Sequence, residues 1–361
     1  MITNFCMKTI LLAIAITASI SAMAQDSTGS LSFSGYVEAY YQYDFNKPAD
    51  NTRPSFVYSH NRHNEFTVNL AFIKMAYAAS KARANVALAA GTYTNANYAA
   101  EPGVLKNLME ANVGVKLGRK NLWLDAGIFS SHIGFESAIS KDCRTLTRSI
   151  VADNTPYFEA GAKITYTSTN EKWLFSLLAL NGWQRITRVP GNSLMNWGTQ
   201  VQFKPSANIV LNYSTFIGTD KPDSARLNRL YHNCYGIFSL TKQSELTLGF
   251  DIGTEQKTPG SNQHNTVLSP VLIYAYSIND KWSVAARAEY YQDKNGVIIA
   301  TGTPNGFKTT GFSANIDHHP VKNLWVRLEC RILHSKDRIF TKDNNITNTN
   351  PFITGSIALA F

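Results

Sequence analysis

The chain has 361 residues and a net charge of +9, with 16% charged residues and 17 Tyr, 19 Phe and 6 Trp. Ordinary globular domains carry roughly 25% charged residues, and no stretch beyond residue 24 approaches the roughly 18 unbroken apolar residues of a membrane-spanning helix. Those figures exclude a disordered chain, a helical membrane protein and a coiled coil, and they leave a large all-β protein.

In chain order, residues 1–24 read as a secretory signal peptide. Lys8 supplies the positive start, Thr9 to Ile20 the apolar stretch, and Ala22-Met23-Ala24 the small-residue cleavage site. The remainder, 25–361, is expected to be one domain. Its charge falls to +8, because Lys8 is the leader's sole charge. No lipid-attachment cysteine follows the cleavage site. Cys143, Cys234 and Cys330 are too far apart for a disulfide framework or a metal site and are expected as small apolar fillers.

From there the sequence alternates with a period of two in segments of about ten residues. Leu31, Phe33, Val37, Ala39, Tyr41, Tyr43 and Phe45 oppose Ser32, Ser34, Tyr36, Glu38, Tyr40, Gln42 and Asp44. The same contrast recurs at 109–117, 158–166 and 246–252. It fades at 66–77, 173–181 and 266–277, where neither face is cleanly polar, and Pro270 weakens the last of these. Sixteen strands are expected: 31–45, 66–77, 85–93, 108–117, 122–130, 157–166, 173–181, 195–203, 209–218, 230–240, 246–254, 266–277, 282–291, 306–318, 324–333 and 351–361. Seven short connections alternate with eight long ones, the series beginning and ending on a long one. That pattern predicts a transmembrane antiparallel β-barrel with short periplasmic turns, long extracellular loops and both termini periplasmic. Trp173 and Trp282 suit an aromatic belt; the parity of Trp123 and Trp325 points them inward.

In a bilayer every backbone polar group must be bonded internally, so strands cross only as a closed barrel. Sixteen strands enclose a lumen too wide for the wall to fill, which predicts a water-filled pore. The pore-lining candidates are the polar-face residues Arg287, Glu289, Arg327, Glu329, Arg331, Glu38, Glu110, Lys116, Asp125, Glu159, Lys163 and Asp251. The set on 282–291 and 324–333 either imposes a positive local field or braces the wall as an ion-pair ladder. Segment 131–156 suits an inward constriction or an exposed loop equally.

The end of the chain, Ile353 to Phe361, is apolar at odd positions and closes on an aromatic residue. It looks like the C-terminal signal read by the outer-membrane barrel-insertion machinery. Asp125-Ala126-Gly127-Ile128-Phe129, Gly134-Phe135-Glu136, Arg148-Ser149 and Pro156-Tyr157-Phe158-Glu159-Ala160-Gly161 resemble the β-barrel porin-2 family of OmpL-like porins. So do Asn181-Gly182-Trp183 and Arg287-Ala288-Glu289-Tyr290-Tyr291-Gln292-Asp293. The resemblance implies an outer-membrane barrel of porin function in a Gram-negative bacterium.

Other chemistry has little support. His60 and His63 have metal-like spacing, but a solvated loop is the expectation. Ser130, Ser131, His132 and Glu136 offer a hydrolase-like set, yet neighbours along a strand diverge and no orienting partner is evident. No cofactor or metal motif appears, and the basic residues form no stripe for nucleic acid. The expected function is passive diffusion of small hydrophilic solutes with weak anion preference. The alternatives are a plugged surface-binding barrel and an outer-membrane hydrolase. Outer-membrane lipid is the expected surround, and a homo-oligomer stays open.

Overall fold

The computed structural model describes residues 29–343 and 345–361; the leader assigned to 1–24 lies outside them. Fifteen barrel strands come first. They are β1 (Ser30–Asp44), β2 (Phe66–Ala78), β3 (Ala82–Ala90), β4 (Leu108–Lys116), β5 (Leu122–Ser130), β6 (Phe158–Thr167), β7 (Trp173–Leu180) and β8 (Asn196–Ser206). Then follow β9 (Ile209–Gly218), β10 (Arg229–Ser239), β11 (Ser244–Gln256), β12 (His264–Ser277), β13 (Trp282–Asp293), β14 (Phe307–His318) and β15 (Leu324–Ser335). A small hairpin, β16 (Phe340–Lys342) and β17 (Asn345–Thr347), precedes the last barrel strand, β18 (Thr349–Ala360). Two short helices, α1 (Thr92–Asn97) and α2 (Ile150–Asp153), sit in long loops. No described helix is long and apolar enough to cross a membrane.

Sixteen strands close into one antiparallel barrel, each paired with its sequence neighbours and β18 joining β15 to β1. The seam runs from Tyr36↔Ala360 to Asp44↔Phe352. Beyond it, Phe361 and Gly35 exchange backbone hydrogen bonds of 2.7 and 3.0 Å, so the final aromatic residue completes the closure. Turns of two to five residues lie at one end, and loops of seven to 27 residues lie at the other.

Alternation sorts the side chains. Phe33, Val113, Leu177, Trp282, Leu328 and Ile357 are exposed on the outer wall, while Glu38, Asp125, Arg287 and Glu329 are buried on the inner one. So extensive an apolar exterior suits hydrocarbon rather than water.

The three segments with blurred alternation each have a physical cause. In β2 a bulge opposite Glu38/Ala39 inserts one residue, so Asn69 and Leu70 are both fully buried and the phase resets between them. In β7 the inward Leu178 and Leu180 pack with Phe129, Ile133, Phe216 and Tyr231. In β12 the inward Val267, Val271 and Ile273 join a cluster with Ile150, Val151 and Tyr291. Their inner faces are apolar because loops, and not water, cover them. Pro270, which has no N–H to donate, lies on the outer face within β12. Pairing with β13 is interrupted there, and the Ser269 hydroxyl donates instead to the Tyr290 carbonyl at 2.8 Å.

Candidate functional site

Loop 131–157 turns into the barrel and runs along half of its inner wall. The Ser214 hydroxyl of β9 donates to the His132 carbonyl at 2.7 Å, and Gly134 N–H donates to Asn233 of β10 at 3.1 Å. Arg144 forms a double hydrogen bond with Glu245 of β11, both contacts 2.7 Å. Leu146 N–H donates to Asn315 of β14 at 3.0 Å, and Tyr36 of β1 reaches Ser140 at 2.7 Å.

The strand-borne charges meet the backbone of this loop. Arg287 donates to the Thr147 carbonyl at 2.7 Å, Arg331 to the Arg148 carbonyl at 2.7 Å, and Arg327 to the Cys143 carbonyl at 3.0 Å. Glu289 accepts from Ile150 N–H at 2.6 Å, and Glu329 accepts from Thr147 N–H. The same groups pair with one another: Arg287 with Glu329 at 2.9 Å, Arg331 with Glu289, and Arg327 with Asp317 at 2.7 Å. Charged partners on β13 and β15 reach over β14 because small residues, Ser313 and Gly311, stand opposite Arg287 and Glu289 there. A Cβ on Gly311 would lie 2.6 Å from a Glu289 carboxylate oxygen.

The loop also braces itself. Arg148, fully buried, donates to the carbonyls of Ser137, Leu146 and Ala138. Glu136 accepts from the Ser149 N–H and hydroxyl, and that hydroxyl caps α2 by accepting from Ala152 N–H at 3.2 Å. The Gly134-Phe135-Glu136 and Arg148-Ser149 motifs therefore build the inward turn itself.

Of the sequence-derived lining set, Arg287, Glu289, Arg327, Glu329, Arg331 and Glu38 lie beneath this loop. Glu38 accepts from the Ser140 hydroxyl and, at 2.9 Å, from Asn69. Glu159 sits 2.9 Å from His132, and Asp251 is buried against Tyr231 and Asn233 at 2.9 and 2.7 Å. Glu110, Lys116, Asp125 and Lys163 are on the opposite wall. There Lys74 pairs with Glu110 at 2.7 Å over Ala87, and Arg83 pairs with Asp125 over Gly114. Sequence reasoning missed Lys74 because the bulge obscured the phase of β2. It missed Arg83 because β3 starts at Ala82, three residues before the strand expected at 85–93.

Three expectations are corrected. His60 and His63 are buried inside loop 45–65 rather than solvated: His60 Nε2 lies 3.3 Å from Glu38, and His63 Nδ1 accepts from Asp44 N–H at 2.9 Å. His132 does have an orienting partner, Glu159, but its Nε2 faces the Thr215 carbonyl at 2.8 Å and not a hydroxyl. Both ring nitrogens thus meet acceptors. Burial opposes the charge, yet Glu159 and the Thr215 carbonyl outweigh it and raise the pKa. With Nδ1 on Glu159 and Nε2 on the Thr215 carbonyl, neither ring nitrogen is placed to activate Ser131. Finally, the filler role fits buried Cys143 but not the other two cysteines. Cys234 and Cys330 are exposed, whereas buried Cys143 accepts from Ser137 N–H at 3.2 Å. Among the described residues no cluster of His, Cys, Asp and Glu is arranged to hold a metal ion.

No curated protein matches the chain in sequence. Several solved structures share its fold. An anion-selective porin from Comamonas acidovorans has a TM-score of 0.61 and 10% identity over 92% of this chain and 100% of its own. The outer-membrane OmpT of Vibrio cholerae scores 0.60 at 9% identity, over 93% and 99%. The outer-membrane channel DcaP of Acinetobacter baumannii scores 0.60 at 10% identity, over 92% and 97%. The model of the family described as putative beta-barrel porin-2, OmpL-like matches residues 30–361. With that match covering almost the whole chain and the barrel closing as outer-membrane porins do, the protein belongs to the OmpL-like porin-2 family and is an outer-membrane porin.

Proposed function

We propose that small hydrophilic solutes diffuse passively through the part of the lumen that loop 131–157 leaves free, with a weak preference for anions. The observation that carries this reading is the asymmetry of the wall. From β9 round to β1, Glu38, Arg287, Glu289, Arg327, Glu329 and Arg331 are buried and bonded to the loop, whereas Lys74, Arg83, Asn85, Asn112, Lys116 and Gln200 on β2–β8 are only half-buried. On that free wall Lys74, Arg83, Lys116 and Lys163 stand against Glu110 and Asp125, with Glu159 taken up by His132, an excess of cations that would enrich anions locally. Arg327 and Arg331, by contrast, are already neutralised by Asp317 and Glu289. The anion selectivity of the Comamonas porin is that protein's property; here the free wall supports a milder form. In the same reading the leader is removed near Ala24, and the strand ending at Phe361 is recognised during insertion.

Reversal potentials in a salt gradient test the proposal. The wild type should favour chloride over potassium slightly, and Lys116→Glu plus Lys163→Glu should move the preference to potassium. A conducting variant with unchanged selectivity removes the free wall from the argument. A barrel that never conducts favours the plugged surface-binding alternative.

A further inference from the structure

The bridges along the inner wall set opposite charges against each other: Lys74 with Glu110, Arg83 with Asp125, Arg287 with Glu329 and Arg331 with Glu289. The short-turn rim of the free wall breaks that pattern twice. Where β3 meets β4, Lys116 N–H donates to the Lys81 carbonyl at 2.9 Å, which sets the two lysines directly opposite each other. Where β7 meets β8, Lys204 N–H donates to the Lys172 carbonyl at 2.8 Å, with the same result. Like charges in direct cross-strand register are destabilising. Alternation puts these lysines in phase with the lumen-facing Arg83, Asn112, Ser176 and Gln200. Trp173 and Phe203, one step along, stack on the other face at 4.1 Å. Lys81, Lys172 and Lys204 are exposed and Lys116 is half-buried. None of the four forms an ion pair among the described residues.

Nothing in the neighbouring turns supplies the missing counter-charge. The turns joining β2 to β9 at this end, 79–81, 117–121, 168–172 and 207–208, add Arg119 and Lys120 and hold a single acid, Glu171. Asp125, inward on β5, is already paired with Arg83. Six cations therefore form an arc round the half of the mouth that loop 131–157 leaves free. A phosphoryl group carries up to two charges and three acceptor oxygens, so both ammonium groups of a facing lysine pair can donate to it. We propose that this arc is a binding site for soluble polyvalent phosphoanions, which supply the counter-charge the rim lacks. The lumen-facing phase of the lysines selects a solute in the pore mouth over a lipid headgroup on the outer wall. The inference deepens the anion preference proposed above and rests on it for a role in permeation; binding rests on the rim alone.

The test uses the full mature barrel in planar bilayers of phosphatidylcholine, which bring no net anionic headgroup. In about 0.1 M potassium chloride, where the screening length is about 10 Å, tripolyphosphate is added to each side in turn. It should interrupt the current at a roughly tenfold lower concentration from one side than from the other. Gluconate, a monovalent anion, should not interrupt it at those concentrations. The combined variant Lys81→Gln, Lys172→Gln and Lys204→Gln breaks both facing pairs at exposed positions and should abolish the difference between the two sides. A conducting barrel blocked equally from both sides, equal block by gluconate, or wild-type block in the variant overturns the site. The chloride preference of the lumen is judged separately, on Lys116→Glu plus Lys163→Glu, so either reading can fail alone. If the barrel does not conduct, the porin reading fails, and calorimetric titration of tripolyphosphate into the detergent-solubilised protein decides the site. Heat that is lost in the variant upholds the proposal; no heat in the wild type, or equal heat in both, overturns it.

Discussion

At the scale of single residues, the inner wall depends on small side chains placed between large charged ones. Ala87 lets Lys74 reach Glu110, Gly114 lets Arg83 reach Asp125, and Ser313 with Gly311 lets β13 meet β15. Each bridge spans a strand, so a ladder of paired charges forms where adjacent strands would offer only neighbours. Glu329 is the central acceptor of the loop clasp, serving Arg287 and Thr147 N–H while fully buried. Removing one partner of a buried pair leaves the other uncompensated, at about 3–5 kcal/mol. Glu329→Ala should therefore release loop 131–157 without opening the barrel. The expected result is higher single-channel conductance and new trypsin cleavage after Lys141, Arg144 or Arg148 in a barrel that still migrates as folded. Unchanged conductance together with continued trypsin resistance would show that the clasp does not hold the loop.

Secondary-structure elements show where local chemistry repairs an irregularity. β12 carries a proline in the middle of a barrel strand, and the sheet stays closed because Ser269 supplies the hydrogen the Pro270 nitrogen lacks. A hydrogen bond of this kind contributes about 1 kcal/mol, and an unmet carbonyl in a lipid-facing wall costs more than that. Ser269→Ala should lower the urea midpoint of the folded barrel and speed amide exchange along the β12–β13 seam. The control is Ser277→Ala at the turn end of the same strand, where no comparable role exists; equal effects of the two substitutions would count against the repair. The bulge in β2 is the second irregularity, and it turns Asn69 inward to bond both Glu38 and His60 N–H at 2.9 Å.

For the molecule as a whole, the long loops fold inward and on to one another. Asp153 of α2 joins loop 131–157 to loop 45–65 through the Ser59 hydroxyl at 3.2 Å, with the Tyr157 hydroxyl at 3.3 Å. Burial pushes its carboxyl up from 3.8 to about 7, against the opposing influence of Arg148 and Arg331; Glu136 adds to the rise. A raised carboxyl favours the folded state while protonated, so its contribution is complete below about 4 and is lost as pH rises through about 7. Asp153→Asn, which keeps a neutral side chain at every pH, should match the wild type near pH 4. Its stability advantage should grow up to about pH 7 and level off above. Urea midpoints of both proteins across that range would reveal this, and a pH-independent difference would assign the stabilisation to something other than the proton.

The sequence by itself determined the barrel. Alternation, the regular placement of short and long connections and the closing aromatic strand follow from one constraint, that a strand in lipid must show a greasy face outward and bond all of its backbone. That constraint acts locally, residue by residue, and so is written into each segment. Only the tertiary structure decided what fills the lumen. Loop 131–157 is held mainly by its own carbonyls and N–H groups, donated to or accepted from side chains on β9–β15, and backbone groups are the same in every sequence. The inward Leu178, Leu180, Val271 and Ile273 become intelligible only once the loops that cover them are in place. The same charges that alternation put on the inner wall could have faced water or a loop, and contact across more than a hundred residues of sequence made the choice.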